Sequence, residues 1–221
     1  MKKMIKIEKY IEQTVLKAQT VDADIEKLVN EAKEYGFVGV CVPPFWVKKA
    51  KREIGDADIQ LVSVVGFPLG YNLTETKVFE TEQLIKMGAD EIDVVWSLTS
   101  FKAGMNWPKI ELAKLSQICH DSERILKVIL ETAYLSDMEI IRACEICADA
   151  GVDYVKTSTG FAPEGAKENH IRLMRENLPS TVGIKASGGI KTFEQALGLI
   201  HAGADRLGTS SGVQIVNSSR L

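Results

Sequence analysis

The chain has 221 residues, 45% of them hydrophobic, which is enough for one sizeable core and fits a single large α/β domain over residues 1–221. A net charge of -3 leaves no electrostatic case for nucleic acid, although a local basic patch around a phosphorylated substrate remains open. The basic start Met1-Lys2-Lys3-Met4-Ile5-Lys6 runs into further charge rather than an apolar segment, so neither a signal peptide nor a membrane span is expected, and the reading is cytoplasmic.

In chain order, Lys6 to Gln13 reads as a leading helix or extended lead-in, and Gln13-Thr14-Val15-Leu16 as a short strand. Val21 to Tyr35 carries Ile25, Leu28, Val29 and Ala32 at helical spacing, with Gly36 as a stop. Phe37 to Val42 is a nearly continuous apolar run, the mark of a strand buried on both faces. The alternation continues with a helix at Val47–Ile54, a strand at Leu61–Val65 and a helix at Leu73–Met87. A strand at Glu91–Val95, a helix at Trp107–His120, a strand at Ile125–Glu131 and a helix at Met138–Ala150 follow. The strand through Lys156, a helix at Lys167–Asn177, the strand through Lys185, a helix at Phe193–His201, a strand at Arg206–Thr209 and a final turn or short helix from Ser210 to Leu221 complete the chain.

Gly88-Ala89-Asp90, Gly151-Val152-Asp153 and Gly203-Ala204-Asp205 repeat one junction, a glycine that ends a helix just before a strand restarts. Apolar strands alternating with helices through short connections predict a closed (β/α)8 TIM barrel rather than an open sheet. No Gly-x-Gly-x-x-Gly follows the first strand, which argues against dinucleotide binding. Cys41, Cys119, Cys144 and Cys147 form no secreted-type framework, and Cys144-Glu145-Ile146-Cys147 falls inside a helix-period segment, so buried structural thiols are expected. His120, His170 and His201 have no partner at ligand spacing; no metal site and no cofactor are predicted.

The chemistry concentrates where strands end. Lys156, in Tyr154-Val155-Lys156-Thr157-Ser158-Thr159-Gly160, and Lys185, in Gly183-Ile184-Lys185-Ala186-Ser187-Gly188-Gly189, hold matching places in consecutive strands. Adjacent strands are about 4.8 Å apart, so inward-pointing ammonium groups at one level would sit within about 5–7 Å. At about 6 Å and an effective dielectric of about 20 they repel by about 2.8 kcal/mol, which favours a neutral amine able to attack a carbonyl. A lone strand-end lysine more often reaches out to solvent. Two in register, each beside Thr, Ser and Gly, point to function. Asp93, a carboxylate in an otherwise apolar strand, needs a cationic partner, for which Lys156 and Lys185 are the candidates, and that partnership would oppose the repulsion. Lys127 lies in the fifth strand either as a supporting charge or as a packed stem. Ser187-Gly188-Gly189-Ile190 and Gly208-Thr209-Ser210-Ser211-Gly212 follow the last two strands and can open helices with free backbone N–H groups, the usual phosphate position of such barrels.

From about Ile11 to Val213 the chain resembles the deoxyribose-phosphate aldolase family, through Val65-Gly66-Phe67-Pro68-Leu69-Gly70, Gly88 to Asp93, Lys127 to Thr132, Tyr154 to Gly160, Lys185 to Gly189 and Arg206 to Ser211. The resemblance implies a class I aldolase that cleaves 2-deoxy-D-ribose 5-phosphate reversibly to acetaldehyde and D-glyceraldehyde 3-phosphate without metal. It implies that Lys156 is the Schiff-base lysine and that Asp93 and Lys185 are its proton-transfer partners. Thr159, Gly188, Gly189, Ser210 and Ser211 match substrate- and phosphate-binding positions. The chain departs from the family's first-strand motif, commonly Asp-His-Thr-Leu-Leu-Lys, which reads here Glu12-Gln13-Thr14-Val15-Leu16-Lys17. Pro43 and Ser97 stand where Asn is common. These changes touch substrate fit or rate more than reaction class, with Glu12 retained as a supporting carboxylate. The expected partners are a small phosphorylated sugar and further copies of the chain, as a homodimer or homotetramer, with no nucleic acid and no membrane. Two rivals stand beside this reading: a phosphate-binding barrel isomerase or synthase whose lysines only hold an anion, and a catalytically weak relative that senses sugar phosphate.

Overall fold

Residues 5–219 are described by the computed structural model; Met1–Met4, Arg220 and Leu221, parts of the basic start and of the expected terminal helix, lie outside the described residues. The described chain runs β1 (Ile11–Thr14), α1 (Asp22–Tyr35), β2 (Gly39–Val42), α2 (Val47–Ile54), β3 (Gln60–Val65), α3 (Thr74–Met87), β4 (Glu91–Val95), α4 (Leu98–Lys102) and α5 (Trp107–Asp121). It continues through β5 (Ile125–Ile129), α6 (Asp137–Asp149), β6 (Tyr154–Lys156), α7 (Glu168–Asn177), β7 (Gly183–Ser187), α8 (Phe193–Ala202), β8 (Arg206–Thr209) and α9 (Gly212–Ser219). Each strand pairs in parallel with the next, and β1 also pairs with β8, so the sheet closes into a (β/α)8 barrel.

Local sequence accounts for the elements. In α1, Ile25, Leu28, Val29 and Ala32 fall on one face and are buried against the sheet, and the helix ends where Gly36 takes the left-handed conformation at φ 70°. Each fully buried Ile, Leu or Val contributes about 1.5–3 kcal/mol. The reciprocal caps Ser136 with Glu139 and Thr192 with Gln195 start α6 and α8. Strand residues that point outward, such as Ile92, Val94, Val155 and Ile184, join the large core between sheet and helices. Those that point inward divide the barrel in two. Cys41, Val62 and Val64, with Leu16 and Phe67, make a separate apolar cluster, whereas strands β1 and β4 to β7 send charged side chains into the interior.

The repeated Gly-x-Asp junction has a structural role. The Asp90 N–H donates to the Leu61 carbonyl at 2.8 Å while its carboxylate accepts the Leu61 N–H at 3.0 Å. Asp153 clamps Leu126 in the same two-way fashion at 3.1 and 2.8 Å, and Asp205 clamps Ile184 at 2.8 Å in both directions. Each clamp joins the start of an even-numbered strand to the odd-numbered strand before it.

Several element boundaries differ from the sequence reading by one or two residues, those of β1 and β5 nearest the site, and one short helix is additional. The first strand is Ile11–Thr14 rather than Gln13–Leu16, because Ile11 packs in the outer core while the polar side chains of Glu12 and Gln13 find buried partners that their hydrophilicity conceals. β5 stops at Ile129, and Glu131 leaves the extended region altogether at φ 58°. α4 was not anticipated, since five residues are too few to display a helical period.

Candidate active site

Registration of the strands brings the expected residues together. Lys156 lies directly opposite Lys185 across β6 and β7, and Asp93 lies opposite Lys127 across β4 and β5. The Asp93 carboxylate divides its oxygens: Oδ1 accepts from Lys127 Nζ at 3.0 Å, while Oδ2 accepts from both Lys156 Nζ and Lys185 Nζ at 2.7 Å. Lys185 also pairs closely with Glu12, and Lys127 with Glu91. Three ammonium and three carboxylate groups thus fill this half of the barrel in mutual balance. The Glu12 carboxylate faces Lys185, and the buried Lys127 nitrogen faces both Asp93 and Glu91.

Electrostatics follow from the packing. Burial opposes ionisation of Asp93, yet Lys127, Lys156 and Lys185 together outweigh it and hold the carboxyl well below the usual carboxylate range. Burial likewise pulls Lys127 and Lys185 down, but the carboxylates Asp93 and Glu12 around both, with Glu91 at Lys127, raise the two ammonium groups above the ordinary lysine value. Burial raises Glu12, and Lys127 and Lys185 more than reverse it. The expected lysine–lysine repulsion is therefore only part of the field. The two nitrogens share Oδ2, so they are at most about 5.4 Å apart, twice the 2.7 Å of each contact. That corresponds to a repulsion of at least about 3 kcal/mol at a dielectric of about 20. Asp93 attracts Lys156 by about 6 kcal/mol on the same scale. Lys185 acts on Lys156 through the carboxylate they share, not as an isolated neighbouring cation.

A cavity of about 500 Å³ opens at the carboxyl ends of the strands, lined by Lys156, Thr159, Gly188, Gly189, Ser210 and Ser211 among others. Of the Asp93, Lys156 and Lys185 trio only Lys156 lines it; Asp93 and Lys185 lie beneath at 0% exposure. An amine reached from a cavity, with a carboxylate and a second ammonium behind it, can form an imine with a carbonyl compound and exchange protons while doing so. Pro43 and Ser97 do not line the cavity.

The glycine- and serine-rich loops behave less uniformly than expected. Gly188 and Gly189 both have positive φ, at 85° and 77°, a conformation that glycine adopts without strain. Their N–H groups, and that of Ser210, find no acceptor among the described residues. The Ser211 N–H, however, is taken by Thr209 Oγ1 at 2.9 Å, and the Gly212 N–H at the start of α9 by Gln13 Oε1 at 3.0 Å. Nor does the first loop open α8 with free donors: Gln195 Oε1 accepts from the N–H groups of Lys191 and Thr192. Thr209 also donates to the Ile190 carbonyl at 2.7 Å, so one hydroxyl ties the two loops together.

Two carboxylates escaped the sequence reading. Glu91 holds Lys127, and its signal was present in the alternation Glu91-Ile92-Asp93, which puts both acids on one face of β4. Glu131 accepts from the N–H and the hydroxyl of Thr159, directly behind the cavity wall. Burial raises its carboxyl above the ordinary value despite those donors and Lys156. Its left-handed backbone could not be foreseen from residue type. The four cysteines are buried free thiols, with burial pushing Cys41 up to about 11 and Cys119 and Cys144 to about 12.

Fold and site together define a barrel enzyme of the carbon–carbon lyase class, an aldolase. The match to the DeoC/LacD family aldolase covers residues 6–218, and the chain belongs to that family. Deoxyribose-phosphate aldolase of Thermococcus gammatolerans is 47% identical over 217 residues, covering 97% of this chain and 96% of the relative. The Clostridium botulinum protein of the same name is 47% identical, over 96% of this chain and all of the relative. Among solved structures, the aldolase QR15 superimposes with a TM-score of 0.92 at 41% identity, covering 98% of this chain and 97% of that one. A tetrameric deoxyribose phosphate aldolase from Aeropyrum pernix gives 0.90 at 31% identity, with coverages of 97% and 91%.

Proposed function

We propose that the protein cleaves 2-deoxy-D-ribose 5-phosphate reversibly to acetaldehyde and D-glyceraldehyde 3-phosphate through an imine on Lys156. The observation that carries this reading is the shared oxygen: Asp93 Oδ2 touches both lysine nitrogens, and of these three side chains only Lys156 lines the cavity. Lys156 Nζ attacks C1 of the open-chain aldehyde. A proton leaving the amine, or arriving at the carbinolamine hydroxyl, is exchanged through Asp93 Oδ2 with Lys185, and water departs. The iminium accepts the electron pair of the C2–C3 bond as the C3 hydroxyl loses its proton to the same pair, since a two-carbon and a three-carbon product require cleavage there. Glyceraldehyde 3-phosphate leaves, the remaining enamine is protonated at C2, and hydrolysis frees acetaldehyde. Positioned acid–base groups of this kind contribute about 10²–10⁴-fold.

The phosphate is held by the N–H groups of Gly188, Gly189 and Ser210, with Thr159 and the Ser211 hydroxyl at the cavity wall. The enzyme needs no metal and no cofactor, and works in the cytoplasm as one domain per chain. Among the described residues no helix is long and apolar enough to cross a membrane. Self-association as a homodimer or homotetramer is supported by Leu73 and Trp107, large apolar side chains 74% and 45% exposed where α3 and α5 begin. Coupled measurement of acetaldehyde release from deoxyribose 5-phosphate tests the reaction. Tight binding of the sugar phosphate with no aldehyde formed would instead establish a sensor, and failure of borohydride to trap any adduct would establish an isomerase or synthase.

A further inference from the structure

Gln13 departs from the family's common histidine, and its position is more specific than that of a strand residue facing outward. Inward from β1, Glu12 meets Lys185; outward, Gln13 enters the seam between α1 and α9 at 3% exposure. Its amide is used at both ends. Nε2 donates to Glu31 Oε2 of α1 at 2.7 Å, and Oε1 accepts the Gly212 N–H at 3.0 Å. A carboxylate on one side and an N–H on the other admit only this orientation of the amide. The contact is tight: a Cβ at Gly212 would lie 2.6 Å from Gln13 Oε1 and 2.9 Å from Ile11 Cγ2. Gln13 itself borders the cavity, and the Gly212 N–H that it accepts lies two residues after Ser210.

We propose that Gln13 is a positioning residue for the phosphate end of the substrate, fixing the β8–α9 loop by anchoring the first N–H of α9 to α1. This rests on the aldolase reading above. Thr209 binds the Ser211 N–H and the Ile190 carbonyl, and Gln13 binds the Gly212 N–H, so the loop has two successive N–H groups committed internally and the Ser210 N–H left to face the cavity. Leucine at position 13 would leave the Gly212 donor and the Glu31 acceptor unmatched. Glutamate would keep the acceptor for Gly212 but, once ionised, face Glu31 and the substrate phosphate with like charge.

Steady-state kinetics of Gln13→Leu and Gln13→Glu on deoxyribose 5-phosphate and on unphosphorylated deoxyribose test this, with inorganic phosphate as competing probe. For Gln13→Leu the KM for the phosphorylated sugar should rise about tenfold, equivalent to about 1.4 kcal/mol, and the phosphate inhibition constant should rise in parallel. The KM for deoxyribose should change less than about twofold. Burial and the facing Glu31 carboxylate both raise a carboxyl at position 13 above its ordinary value of about 4.3, so Gln13→Glu should approach the wild-type KM as pH falls toward that range and lose affinity relative to wild type as pH rises; Gln13→Leu should show no such dependence. Equal losses on both sugars, or no loss on either while wild type still prefers the phosphorylated one, would overturn the proposal. If wild type itself neither prefers the phosphorylated sugar nor is inhibited by phosphate, the phosphate-end reading fails as well. Should Gln13→Leu not fold, the pH dependence of Gln13→Glu decides alone.

Discussion

Replacing Asp93 by asparagine keeps the side chain's shape and removes its charge. Three contacts change at once: two at 2.7 Å from Oδ2 and one at 3.0 Å from Oδ1. At a dielectric of about 20 each amounts to about 6 kcal/mol of gross attraction, most of it offset in the native protein by the cost of burying the ions. What decides the outcome is the imbalance left behind, three ammonium groups against Glu12 and Glu91. One uncompensated buried charge costs about 3–5 kcal/mol, or about 6–20 °C in Tm for a chain of this size. The pH dependence gives the sharper test. In the wild type Asp93 is depressed, so its contribution is present above the unfolded carboxylate value and is lost as pH falls through the folded one. Lys127 and Lys185 are raised, so theirs is present below the unfolded lysine value and is lost as pH rises through the folded one. Between those limits wild-type stability should be flat with respect to this cluster. In Asp93→Asn the surplus ammonium is relieved by losing a proton, the unfolded chain binds more protons than the native one, and stability rises with pH. Urea or thermal unfolding at pH 7 and at pH 9.5 should therefore show the gap to wild type narrowing. A gap of equal size at both pH values, or no gap, would mean that the lysines are not held by Asp93 in the way described.

Borohydride with acetaldehyde should add one ethyl group to the peptide containing Lys156, and Lys156→Arg should abolish the label with the fold intact; label on another lysine would refute the assignment. Prolonged chelation should leave aldehyde release unchanged, and a loss restored by a divalent ion would overturn the metal-free mechanism. In the outer layer, Lys77 and Glu111 form a fully buried pair at 2.7 Å, and burial pulls the Lys77 ammonium below its ordinary value despite Glu111. Lys77→Met alone should cost about 3–5 kcal/mol in a denaturation experiment, whereas Lys77→Met with Glu111→Leu should recover most of it; additive losses would contradict this. Gly189→Val, strained at φ 77°, should raise KM for the phosphorylated sugar far more than for deoxyribose, and an equal effect on both would make the loop structural.

The sequence is most legible where one physical rule governs a segment. Val47–Ile54, Glu91–Val95 and Arg206–Thr209 have their expected limits because the helix stops at Gly55 and the two strands restart directly after the Gly-Ala-Asp junctions. The pairing of Lys156 with Lys185 was readable because both follow the same number of apolar strand residues and meet in register. What stayed hidden depends on contacts between distant segments. Nothing local tells that Glu12 reaches Lys185, 173 positions away, or that the Gly212 N–H is occupied by Gln13. That Asp93 opposes the repulsion between Lys156 and Lys185 is readable in the sequence, but only the geometry shows that one oxygen, Asp93 Oδ2, contacts both nitrogens. The capping pairs Ser136 with Glu139 and Thr192 with Gln195 carried a local signal that would have moved the α6 start from Met138 to Asp137 and withdrawn the α8 donors from the phosphate reading.

The three aspartate clamps bear on where the chain can be cut. Because Asp90, Asp153 and Asp205 each bind the strand immediately before them, β3 with β4, β5 with β6 and β7 with β8 are fastened as couples. A break between β4 and β5, in the connection around Gly104, leaves every fastening within one fragment. A break between β5 and β6, in the loop around Leu135, separates Asp153 from Leu126. Split versions and circular permutants opened at the first position should reassemble more readily than those opened at the second, although both cuts fall outside the strands of the same closed barrel.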